Sequence, residues 1–286
     1  MVTVIDTPTY ELDGWAGNAT DDYGVDWIVT NESGWSDGAP VRLTTSDREG
    51  IDGGISGPVL RGARLITLSG VAMAPSRLAM LAAKDRWHTF AASAPASVYP
   101  LVVAEEHMTR QADVKLAGEP KAADVGSVSF RWELLLRADD PLRYATDLTL
   151  LATELPTGPE SGLTFNAVFP LTFGGGGTGG ALYAINTGNA PVWPVLTING
   201  PVSNPSVQNL ASGRTVAFDI SLAADESLVI DMAARTVLLN GTANRRNALL
   251  ASSSWWQIEP GSNEIQFRAA ALTAASLQIT YRSAWK

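Results

Sequence analysis

The chain has 286 residues, enough for about two domains at roughly 100–200 residues each, and 45% hydrophobic against 17% charged residues is a globular composition. A net charge of -9 argues against a nucleic-acid binder, which depends on Lys and Arg to neutralise phosphates, and disfavours an anionic membrane surface for the same reason. The absence of cysteine removes disulfides and thiolate metal sites and fits assembly in a reducing cytoplasm, while 26 Gly and 16 Pro point to many strands joined by turns.

The first residues, MVTVIDTPTYELDGW, carry Asp6 and Glu11 and no basic start before an apolar run, so no signal peptide is expected. No stretch of 18 apolar residues occurs, so no membrane span is expected. Residues 1–62 are punctuated by turn signals such as Asp13-Gly14, Asp37-Gly38 and Asp52-Gly53-Gly54. Between them Val25, Trp27 and Val29 share one face of a strand, with Asp26 and Ile28 on the other. Val41–Thr45 and Ala63–Met73 read as further strands.

Pro75 and Ser76 suit a helix start. Met80, Ala83, Trp87 and Phe90, flanked by Leu78 and Leu81, give an amphipathic helix over 75–90 with Lys84, Asp85 and Arg86 on its far side. A long hairpin follows. One arm runs from Tyr99 to Leu116, the tip is 117–126, and the return arm alternates Val128, Phe130, Trp132, Leu134 and Leu136 with polar residues. Asp139-Asp140-Pro141 stops it.

Residues 146–180 form a junction rich in Gly and Pro, ending in GGGGTGG at 174–180. The pattern beyond is strand after strand: Val195–Ile198, Thr215–Ile220, Leu228–Met232, Thr236–Leu239, Trp255–Ile258, Glu264–Arg268 and Leu277–Tyr281. Short strands with Asn-Gly and Pro-Gly turns read as a β-sandwich, to which part of 146–173 adds an edge strand. The fold class expected is mainly β, with two domains at 1–145 and 146–286.

No residue is assigned a catalytic, cofactor-binding or metal-binding role. His88 sits on the helix and His107 follows Glu105-Glu106, with no second His at ligand spacing, so both read as surface or interface residues. GGGGTGG lacks the Lys-Ser/Thr of a phosphate-binding loop and reads as a hinge or turn. Of the paired carboxylates, Asp139-Asp140 reads as a strand stop, and Asp21-Asp22 and Glu105-Glu106 as solvated positions; a glycosidase needs two carboxyls facing across a cleft. Among nine tryptophans, Trp27, Trp132 and Trp193 read as core, and Trp15, Trp35, Trp256 and Trp285 are the candidates for exposure. Trp255 and Trp256, adjacent on an expected strand, should face opposite ways.

PVWPVLTINGPVSNPSVQNL (191–210), SLVIDMAARTVLLNG (227–241) and WWQIEPGSNEIQF (255–267), in that order, resemble the C-terminal domain of the distal tail proteins of siphovirus-type phages. LLLRADDPLRY (134–144) and the helix after GARLITLSGVA (62–72) resemble features of their first domain, so the likeness spans most of the chain. The resemblance implies a first β-sandwich with a helix and an extended hairpin, six copies of which close a ring. It implies a second, galectin-like β-sandwich on the ring's periphery. Such a ring is a non-enzymatic hub of the virion, without cofactor, between the tail tube protein and the tail-tip or baseplate proteins, and DNA passes through it without specific binding. The alternative from another class is a carbohydrate-binding module for host attachment; a glycan hydrolase comes third.

Overall fold

A computed structural model describes residues 7–89, 97–156, 180–271 and 273–286. Two compact units divide the chain, one of residues 1–146 with Lys286, the other of residues 147–285. Both are built from antiparallel strands, as the turn-rich composition leads one to expect.

The first unit contains β1 (Thr9–Leu12), β2 (Trp15–Gly17), β3 (Ala19–Thr20), β4 (Asp26–Ser33), β5 (Val41–Arg42), β6 (Thr45–Asp47), β7 (Gly54–Ser56), β8 (Leu60–Arg61) and β9 (Arg64–Met73). After these come α1 (Arg77–Thr89), β10 (Tyr99–Glu105), β11 (Met108–Leu116), β12 (Lys121–Asp124), β13 (Ser129–Ala138) and β14 (Arg143–Ala145). The main sheet runs β2-β1-β10-β11-β13-β9-β4-β3, with β12 on β13 and β14 on β11. Its longest ladder joins β13 to β9 from Ser129↔Met73 to Ala138↔Arg64. Strict alternation explains it: Phe130, Trp132, Leu134 and Leu136 are buried, as are Ile66, Leu68 and Ala72 opposite. Trp27 and Val25 are buried and Ile28 is turned outward, as the period-2 pattern demands.

Two expectations for this unit need correction. Tyr99–Leu116 is not one arm. It folds back at Glu106-His107, where β10 pairs with β11 from Tyr99↔Val114 to Glu105↔Met108. The expected tip is also partly strand: β12 pairs with β13 from Lys121↔Glu133 to Asp124↔Phe130, and the turn lies at 125–128. A polar pair, Glu106-His107, reverses the chain without Gly or Pro, so the usual punctuation was missing. In α1, Met80, Ala83 and Trp87 are buried, whereas Leu78 and Leu81 are exposed, so the helix buries a narrower stripe than its composition suggests. Phe90 lies outside the described residues.

The second unit contains β15 (Thr149–Glu154), β16 (Ala181–Asn186), β17 (Val195–Asn199), β18 (Val202–Ser203), β19 (Ser206–Asn209), β20 (Arg214–Ala217) and β21 (Ser221–Leu222). These are followed by β22 (Ser227–Asp231), β23 (Thr236–Leu239), β24 (Ala243–Asn244), β25 (Gly261–Arg268), β26 (Ser276–Tyr281) and β27 (Ala284–Trp285). One sheet runs β15-β26-β17-β22-β23-β24 and another β16-β25-β19-β20. Leu196, Ile198, Leu228, Ile230, Leu277 and Ile279 from the first, and Leu182, Val207, Ile265 and Phe267 from the second, are buried. This is the mainly β, sandwich-type fold expected, and β15 is an edge strand paired with β26 from Thr149↔Tyr281 to Glu154↔Ser276. Trp255–Ile258 is not a strand; it makes only a single bridge, Val192↔Ile258. Most of GGGGTGG lies outside the described residues.

Candidate assembly surfaces

Four tryptophans meet in the first unit. Trp15 and Trp132 have ring centroids 5.2 Å apart, Trp27 and Trp87 5.1 Å, and Trp87 and Trp132 5.3 Å, mostly in tilted or edge-on geometry that suits aromatic quadrupoles. The indole N–H of Trp87 donates to the Lys121 carbonyl at 3.0 Å, tying α1 to β12. A cleft of about 330 Å³ opens beside this cluster, lined by Trp15, Trp27, Trp87, Asp21, Tyr23 and Arg86 among others. Asp21 is structural there and not a solvated position. It accepts from the backbone N–H groups of Tyr23 and Val25, both at 2.9 Å, from the Trp27 indole at 3.2 Å, and pairs with Arg86 at 3.2 Å. Burial works to raise its pKa, but these donors and the Arg86 charge outweigh it and hold the carboxyl below its usual value.

The remaining paired carboxylates serve structure too. Glu105, also read as solvated, forms an ion pair with the buried Arg110. Asp139 pairs with Lys115 at 3.1 Å and Arg137 at 2.8 Å, and Asp140 accepts from the Leu142 N–H at 3.0 Å where the strand ends. His88 and His107 are exposed, the latter on the β10–β11 turn. Among the described residues no group of three His, Asp or Glu could hold a metal ion, and no helix is long and apolar enough to cross a membrane.

Trp15, Trp35 and Trp256, expected at the surface, are buried, while Trp193, expected in the core, is 37% exposed. Trp15 and Trp35 lie in short, turn-bounded segments where no alternation is visible. Trp35 is enclosed by the feature the sequence concealed best, a pair of buried arginines. Arg64 donates to the carbonyls of Gly34 at 2.6 Å, Trp35 at 3.1 Å, Pro141 at 3.1 Å and Asp37, and Arg143 donates to the Trp35 carbonyl at 2.9 Å. Glu32 accepts from the Trp35 N–H at 2.6 Å, and Asp37 from the Gly34 N–H at 2.9 Å. Burial, then the charges of Arg110 and Arg64, push the Arg143 guanidinium down to about 10.

This bonded loop is the root of an arm. Val41↔Arg61 and Arg42↔Leu60, then Thr45↔Ser56 to Asp47↔Gly54, make residues 40–62 a continuous two-stranded hairpin. The Gly62 N–H to Pro40 carbonyl bond at 2.7 Å closes its base, and the Gly57 N–H to Thr44 carbonyl bond at 2.8 Å joins its two ladders. From Val41 to Arg61 every residue is exposed, including Val41, Leu43, Ile51, Ile55, Val59 and Leu60. A two-stranded hairpin without a packed face is marginal in water, and a concentration of exposed apolar side chains marks an interaction surface.

The described residues therefore define a class: a two-unit, mainly β protein distinguished by an exposed, apolar two-stranded arm. Residues 187–285 match the family described as siphovirus-type tail component, C-terminal domain. Over the whole chain the fold is that of SPP1 Dit (gp 19.1), called a paradigm of the hub adsorption apparatus in phages infecting Gram-positive bacteria; the TM-score is 0.66 at 14% identity, covering 97% of this chain and 99% of that one. Two structures of the phage P2 baseplate in its activated conformation, with Ca and with Sr, align at 14% identity with TM-scores of 0.44 and 0.45, each over 96% of this chain and 98% of that one. No curated protein sequence matches the chain. The match over residues 187–285 and the shared fold bear out the resemblance to the distal tail proteins of siphovirus-type phages.

Proposed function

We propose that the protein is a structural subunit of a phage tail, a non-enzymatic hub that closes into a ring, most simply of six copies, between the tail tube and the tail-tip or baseplate proteins. Residues 1–145 build the ring and residues 146–286 form its peripheral domain. The observation that carries this reading is the exposed arm at 40–62. Its root is fixed by buried arginines and its apolar side chains are left uncovered, which is the form of a segment that packs against another molecule. Arg42, Arg48 and Arg61 balance Asp47, Glu49 and Asp52, so the arm is neutral in a chain of net charge -9. A neutral, apolar arm docks on an acidic copy of the same chain without like-charge repulsion. A contact between two different faces of identical subunits is heterologous, and it closes only if its rotation does.

SPP1 Dit, whose fold this chain shares, is described as a hub, which supports the same placement in the virion. Negative-stain imaging of the purified full chain tests the proposal. Closed rings with cyclic symmetry are expected, and Ile55→Asp combined with Val59→Asp should abolish them. Dispersed single subunits in the unaltered protein contradict it.

A further inference from the structure

Four arginines of the second unit are gathered around one tryptophan. Arg235 lies in the turn between β22 and β23, with a φ of 56°. Pairing of β23 with β24, and a bond from the Arg245 N–H to the Val237 carbonyl at 2.8 Å, bring Arg245 and Arg246 to the same end of the sheet. The N–H groups of Leu250 and Ser254 donate to the Ala217 and Thr215 carbonyls at 2.9 and 2.8 Å, which lays this segment along β20 and carries Trp255 to Arg214. The side chains then meet. The Arg246 guanidinium donates to the Arg235 carbonyl and lies 5.7 Å from the centre of the Trp255 ring. Arg214 donates to the Trp255 carbonyl at 3.4 Å. Trp256 is buried and Trp255 half-buried, so one ring serves the core and its neighbour the surface.

Arg214, Arg235 and Arg246 are exposed and Arg245 is half-buried. None of these has a carboxylate partner among the described residues, whereas Arg77, Arg86, Arg110 and Arg137 of the first unit all do. Asp231, at the other end of the Arg235 turn, accepts instead from the N–H groups of Ala233 and Ala234 at 2.8 and 2.9 Å. Arg214, Arg245 and Arg246 each spend an N–H on a backbone carbonyl, which leaves most of their donors open. Guanidinium groups gathered without counter-charge repel one another in the isolated subunit, and an acidic partner relieves that repulsion.

All six cations in residues 147–285 are arginine, and four of them stand here, in a stretch that also carries nine Asp and Glu. The planar fork of Arg meets a carboxylate through paired hydrogen bonds, which the point charge of Lys does not. Trp and Arg are also the side chains that carry much of the binding energy at protein interfaces. We infer that Arg214, Arg235, Arg245, Arg246 and the Trp255 ring form a docking surface for a carboxylate-bearing segment of an acidic partner protein. A nucleic acid or another long polyanion fits less well. Its charge runs past the patch onto a chain of net charge -9 and is repelled there, whereas the carboxylates of a protein can be confined to the patch. The surface lies outside the residues assigned to the ring and stands independently of it.

Fluorescence anisotropy of a labelled hexaglutamate peptide, titrated with the purified full chain at low ionic strength, tests this. Saturable binding is expected, and it should weaken as salt is raised. Arg214→Gln combined with Arg246→Gln should weaken it about tenfold or more. Arg42→Gln combined with Arg48→Gln removes as much charge from the arm and should leave it unchanged. If the first pair does not fold, Arg235→Gln combined with Arg245→Gln takes its place. Single-stranded DNA long enough to extend past the patch should bind more weakly than the peptide. Absence of peptide binding overturns the inference, as does binding that persists unaltered in a folded patch variant, or tighter binding of the DNA. Light scattering should give the same oligomeric mass for the parent and the patch variant; a lower mass in the variant would assign the patch to contact between copies and overturn the inference as well.

Discussion

Trp132 shows how single residues hold the first unit. It lies at the centre of β13, is 2% exposed, and touches the rings of Trp15, Trp27 and Trp87. Trp132→Ala should cost about 3–5 kcal/mol, read as a clear fall in denaturant midpoint. Asp21 is a second such residue. Its folded pKa lies below the unfolded value of about 3.9, so its contribution is fully present above about pH 4 and is lost as pH falls through the folded value. Asp21→Asn should therefore destabilise by about 1–2 kcal/mol at pH 7, and the difference from the parent should shrink in a melting series taken below pH 4. A constant difference across that series would show that the charge is not what stabilises the loop. The long strands made Trp27 and Trp132 legible as core. Trp15 and Trp35 were not legible, because their burial depends on partners distant in sequence, such as Arg143 for Trp35.

Elements were easier to read than their connections. β9, α1, β13 and most strands of the second unit follow from periodicity and turn residues, and the mainly β class follows with them. The arm did not. Only Val41–Thr45 suggested a strand there, because short polar-flanked ladders at 40–62 have no buried face to impose alternation. The exposed hairpin of the first unit is this arm, whereas the segment 99–136, read as a long hairpin, carries the core residues Leu101, Val103, Ala112, Val114, Phe130 and Trp132. Replacing residues 43–59 with Asn-Gly, a turn suited to a two-residue hairpin, should leave the stability of the subunit within about 0.5 kcal/mol while abolishing assembly. Circular dichroism melting and size-exclusion chromatography separate those two effects. A shortened arm that still assembles would place the contact elsewhere.

At the scale of the whole molecule, a chain of net charge -9 repeated around an axis multiplies any acidic surface turned inward. Cationic walls would hold a passing DNA through phosphate contacts, whereas neutral or acidic walls let it slide. A ring structure should therefore show no continuous belt of Lys or Arg at its narrowest part, and a belt without partnering carboxylates would contradict that expectation. Oligomeric mass tests the account most directly. Light scattering of the full chain across a concentration series should give one species at six times the 30.2 kDa subunit, persisting on dilution. A stable 30.2 kDa species at the highest concentrations would contradict the ring.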